Sequence, residues 1–172
     1  GRIPAGVVCD SLVSAYDFMP TLLDYLGLKP LDMAKRPGVS FVPALLGQGF
    51  ERPGGIVVMD EYGPNRMLRD QRYKYIARYP YGPNALYDLK ADPGEQDNLL
   101  AHGGFEALEQ ELRGRLEKWF AKYVNPEIDG AREAVFGSGQ IGLAGLWGAG
   151  VSAHSCDDYI KKNPNYALYR VK

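Results

Sequence analysis

The stretch from Gly104 to Tyr123 does most to restrict what this chain can become. Phe105, Leu108, Leu112, Leu116, Trp119, Phe120 and Tyr123 recur at helical spacing, with charged residues between them. A helix gathers those side chains into one apolar stripe, and the stripe has to lie against a second layer. Each large apolar side chain buried there contributes ~1.5–3 kcal/mol, so this helix is a main stabiliser of whatever domain contains it.

The residues just upstream supply that second layer. Ile56-Val57-Val58-Met59 is apolar and β-branched and reads as a buried strand. Met67-Leu68-Arg69 and Tyr73 to Arg78 flank Asp70-Gln71, which suits a tight hairpin turn. In the second of these strands Lys74 and Arg78 fall on one face, expected to be partly solvated. Ala85 to Leu89 forms a fourth strand, followed by the turn chemistry of Asp92-Pro93-Gly94-Glu95. Four strands with short connections predict an antiparallel meander. The fold class is therefore α+β: about four antiparallel strands with a long amphipathic helix packed on them.

The flanks read differently. A helix is predicted over 14–26, with Ser14 and Asp17 at its start, Phe18, Leu22, Leu23 and Leu26 on one face, and Gly27 as its C-cap. Pro20 implies a kink or a fresh start. A loop with a short helical turn near Val42–Leu46 follows. Beyond Pro126 the chain turns Gly-rich and aperiodic, and a short helix and a last strand, Tyr166 to Tyr169, are expected near its end. These shifts suggest segments 1–54, 55–125 and 126–172.

Composition narrows the function. A net charge of −1 argues against a general nucleic-acid or membrane-surface binder. No apolar run approaches the ~20 residues that span a bilayer. The first residues, Gly1-Arg2-Ile3-Pro4, do not read as a signal peptide. Cys9 and Cys156 have no zinc-type spacing; they read as two separate thiols or, in an oxidising compartment, a disulfide. There is no G-x-S-x-G elbow and no phosphate loop. His102 and His154 read as solvated loop histidines, so a catalytic zinc site is not expected.

One cluster could touch a ligand. Asp60 and Glu61 close the first strand, Tyr62-Gly63-Pro64 forces a turn, and Arg66 follows. A strand end presents side chains to a cleft, so Asp60, Glu61, Tyr62 and Arg66 are the candidate substrate-binding residues. The bland alternative is strand-end polarity with a surface ion pair. Arg66, Arg69, Arg72, Lys74 and Arg78 would suit an anionic or sulfated ligand, or form ordinary surface charge.

The order of segments resembles a known family. Gly1 to Gly6 is similar to the tail of a "PG-x-I-x-x-G" loop, Val13 to Leu23 to "VS-x-x-D-x-x-PTLL", and Gly38 to Gly47 to "G-x-S-x-x-P-x-L-x-G". Arg66 to Tyr75 resembles "R-x-x-R-x-x-x-x-KY", and Leu86 to Leu99 resembles "LYDL-x-x-DP-x-E-x-x-NL". Together these resemble the C-terminal part of type I sulfatases of the alkaline-phosphatase-like superfamily. The resemblance implies that residues 1–54, with the 14–26 helix, are the end of an N-terminal α/β catalytic domain, that 55–125 is the sheet-and-helix subdomain and that 126–172 is a Gly-rich extension; the upstream part of the α/β domain is expected to hold the chemistry: a formylglycine made from Cys or Ser, a calcium ion, and Lys and His side chains that bind sulfate. Neither Cys9 nor Cys156 stands in the required C/S-x-P/A-x-R context, so no catalytic residue and no metal ligand is assigned to this chain. The expected partners are that N-terminal domain and a sulfated small molecule or glycan, with no nucleic acid or membrane. Self-association is expected through apolar surface around the 14–26 helix and 136–151. The resemblance also implies a periplasmic or secreted location. Two other functions stay open: a non-catalytic binding module, and part of a phosphate or phosphonate ester hydrolase.

Overall fold

The computed structural model describes residues 1–29, 32–60, 65–79 and 83–129. The expected strand and helix in the last segment lie outside them. The chain divides into two compact units, Gly1–Ile56 and Val57–Lys172.

In the first unit a 3-10 turn, Ala15–Asp17, leads into helix α1, Phe18–Tyr25. The predicted helix is thus split, and Pro20 sits in the first turn of α1 rather than kinking it. A first-turn N–H has no intrahelical partner, so proline costs nothing there. Gly27, with φ 66°, ends the helix as expected. A short helix α2, Val42–Leu45, follows. The centre of this unit is polar. Asp17 is fully buried; its carboxylate accepts from the Ser14 and Val39 N–H groups and pairs with Arg52. Arg52 also donates to the Gly55 carbonyl and stacks over Tyr16. Thr21 donates to the Asp17 carbonyl and accepts from the Phe41 N–H. Gly38 is required here, because a Cβ would lie 2.2 Å from the Tyr16 carbonyl oxygen.

The second unit holds the sheet. Strands β1 (Ile56–Met59), β2 (Asn65–Arg69), β3 (Tyr73–Arg78) and β4 (Ala85–Asp88) lie in that order, as a meander. Antiparallel register sets Leu68 opposite Tyr75 and Tyr75 opposite Leu86. Helix α3, Glu106–Tyr123, covers that face. Its Leu112, Leu116 and Phe120 are buried with Val57, Leu68, Tyr75, Ala77 and Leu86. The i, i+4, i+8 row of the predicted stripe thus makes the seam, while Phe105, Leu108 and Trp119 pack around it. Register puts Met67, Arg69, Lys74, Ile76, Arg78 and Tyr87 on the opposite face, where Lys74 and Arg78 are half-buried.

Three polar fasteners fix the ends of these elements. Asp70 accepts from the Arg72 and Tyr73 N–H groups and pairs with Arg115 of α3 at 2.9 Å. Lys74 pairs with Glu95. The Asn98 amide accepts from the Leu86 and Leu100 N–H groups and donates to the Asn84 carbonyl.

Candidate functional site

The candidate residues lie where β1 hands over to β2. Asp60 follows the last residue of β1, and its N–H donates to the Asn65 carbonyl at 3.0 Å, closing the ladder. The Asn65 amide donates to Asp60 Oδ2 at 2.6 Å, and the Asn65 N–H reaches Oδ1 at 3.4 Å. The Asp60 carboxylate is therefore held across the mouth of the connection. Glu61 and Tyr62 lie outside the described residues.

Arg66, the fourth candidate, lies on the covered side of the sheet. It shares a sheet face with Leu68, so it points beneath α3, and it is only 5% exposed. Its guanidinium stacks 3.8 Å from the Phe120 ring centroid and 5.0 Å from that of Tyr79, and it pairs with Asp129. Burial pulls the Arg66 pKa below its usual value, opposed by Tyr79 and Asp60. Burial likewise raises Tyr79, and the same effect raises Tyr75 beneath the helix. Strand alternation alone assigns Arg66 to the covered face, since it is two residues from Leu68.

Asn65 is the participant that sequence reasoning missed. Its signal was available: an Asn straight after a Gly-Pro turn is suited to bond back across the connection. Its Oδ1 is buried and has no hydrogen-bond partner among the described residues.

The other cations of the hairpin are not gathered into one site. Arg72 makes two bonds to Asp88, Lys74 is held by Glu95, and Arg78 donates to the Pro83 carbonyl. His102 sits in an exposed loop against Asp97. Cys9 is exposed and free; hydrogen bonds from Ser11 lower its pKa. It borders a cleft of about 210 Å³ lined by Ile3, Val7, Val13, Phe41 and Leu45, among others. Among the described residues no group of three or more His, Cys, Asp or Glu side chains could hold a metal ion.

The family model described as "N-sulphoglucosamine sulphohydrolase, C-terminal" matches residues 1–122. The chain belongs to that sulfatase family. It is 33% identical over 113 residues to a Delta 4,5-hexuronate-2-O-sulfatase of Bacteroides thetaiotaomicron, covering 62% of this chain and 23% of the relative. It is 29% identical to an ulvan-active sulfatase of Formosa agariphila, covering 68% and 30%. The solved structure of a 2-O GAG sulfatase superposes with a TM-score of 0.52 at 33% identity, covering 61% of this chain and 24% of that one. The chain is thus the C-terminal part of a sulfatase, and it spans about a quarter of the length of the curated relatives it matches.

Proposed function

We propose that this chain shapes the substrate cleft of a sulfuric ester hydrolase acting on sulfated carbohydrate, while the bond-breaking groups lie in the preceding domain. The observation that carries this reading is the clamped end of β1. Asp60 is fixed by Asn65 at a strand end, in a region whose relatives are named as sulfatases of sugar units. A carboxylate held in place can accept hydrogen bonds from sugar hydroxyls without first losing rotamer freedom. Asp60, Glu61 and Tyr62 border the ligand in this proposal. Arg66 acts as a positioning residue, anchoring the start of β2 from beneath. Formylglycine and calcium belong to the upstream domain, as do the Lys and His that hold sulfate. The segment divisions at 54/55 and 125/126 are part of the same proposal.

The test is sulfate release from sulfated glycosaminoglycan and ulvan oligosaccharides by the polypeptide of the complete reading frame. Release of phosphate from phosphate esters instead would overturn the substrate class. Asp60→Ala in that polypeptide should raise KM for oligosaccharide by about tenfold. A KM left unchanged removes Asp60 from the cleft.

A further inference from the structure

The Arg66–Asp129 pair joins the second strand to the segment that follows α3. The Arg66 guanidinium lies against the Phe120 and Tyr79 rings, 3.8 and 5.0 Å from their centroids, so its place is fixed. Its side chain is 6% exposed and that of Asp129 17%, which withdraws the pair from water. Local chemistry brings Asp129 there. Helix α3 ends at Tyr123, and Asn125 then caps a 3-10 turn, Pro126–Ile128, by accepting from the Glu127 N–H. Asp129 follows in extended backbone. The family model stops at residue 122, so Asp129 comes from beyond the matched region. The charge of Asp60 acts on the same guanidinium. Asp60 is also the carboxylate clamped by Asn65, the residue next to Arg66.

A guanidinium taken out of water requires a carboxylate, and two are within electrostatic reach of this one. We propose that Asp129 is a positioning residue for the substrate cleft: by neutralising Arg66 it leaves the Asp60 carboxylate to Asn65 and to sugar hydroxyls. This rests on the reading above that Asp60 borders the ligand. With Asp129 made neutral, Arg66 takes Asp60 as its partner. The Asn65 clamp then loosens, and the acceptor meant for the ligand is drawn toward Arg66. The segment after α3 thus tunes substrate binding without touching the substrate.

The experiment has two arms. The first is hydrogen exchange at the Asp60 N–H, which donates to the Asn65 carbonyl at 3.0 Å. Asp129→Asn should speed exchange there about tenfold more than at the core amides of Leu68 and Tyr75. The second is steady-state kinetics of the complete polypeptide on sulfated oligosaccharide. Asp129→Asn should raise KM about fivefold and leave kcat within about twofold of the parent. The effect needs the guanidinium, so in an Arg66→Met background the same substitution should move KM by less than about twofold. Exchange that rises equally at Asp60 and in the core, with KM unchanged, makes the pair an ordinary fastener and overturns the proposal. So does an effect of Asp129→Asn on KM that is as large without Arg66. Failure of the sulfatase reading looks different: the unmodified complete polypeptide would release no sulfate, and the exchange arm would still decide whether Asp129 governs the Asp60 clamp.

Discussion

Glu95 Oε2 lies 2.6 Å from Lys74 Nζ, and Glu95 holds it there from a left-handed backbone with φ 55°. A non-glycine residue in that region carries about 1 kcal/mol of strain. The ion pair offsets it by tying the turn after β4 to the start of β3. Glu95→Gly removes the strain and the pair together and should leave stability within about 0.5 kcal/mol of the parent. Glu95→Ala keeps the strain and loses the pair, and should cost about 0.5–1 kcal/mol. Urea midpoints at constant m-value distinguish the two.

Leu116 is fully buried in the seam between α3 and the sheet. Leu116→Ala should destabilise the second unit by about 2–5 kcal/mol, because the rigid sheet beneath cannot collapse into the space. Far-UV circular dichroism during urea unfolding measures this loss.

Arg66 tests whether the charge or the stem matters beneath α3. Arg66→Ala removes the stacking on Phe120 and leaves Asp129 without this partner, and should cost about 3 kcal/mol. Arg66→Met combined with Asp129→Asn keeps the packed stem and removes both charges. It should recover at least half of that loss, read again from urea midpoints.

Asp70 predicts how stability depends on acid. Burial pushes its carboxyl upward, but the Tyr73 and Arg72 N–H groups and the Arg115 guanidinium together hold it below its ordinary value. A carboxyl lowered by folding stabilises the native state above the unfolded value of ~3.9 and loses that contribution as pH falls through the lower folded one. The free energy of unfolding should therefore drop as acid is added below about pH 4, and Asp70→Asn should flatten that slope.

Periodicity made the four strands and α3 legible, because alternation and the 3.6-residue repeat are local properties of the chain. It also grouped Phe18, Leu22 and Leu26 correctly. It could not say which way that group faces, since a repeat identifies side chains that share a surface and not what lies opposite. The partner of Arg66 was illegible for another reason: Asp129 is 63 residues away, and an ion pair leaves no periodic trace. The stretches that carried the family resemblance proved to be fasteners. Asp17, Thr21, Lys74, Glu95 and Asn98 are all engaged within the chain. They announce the architecture of a sulfatase end.

Strand β4 is last in the sheet, and its outer backbone would ordinarily invite another chain to add itself. The Asn98 amide occupies that rim at the Leu86 N–H and the Asn84 carbonyl. One side chain thereby acts as a doorstop against strand addition. An Asn98→Ala chain would keep its core and become prone to fibrillar pairing through β4.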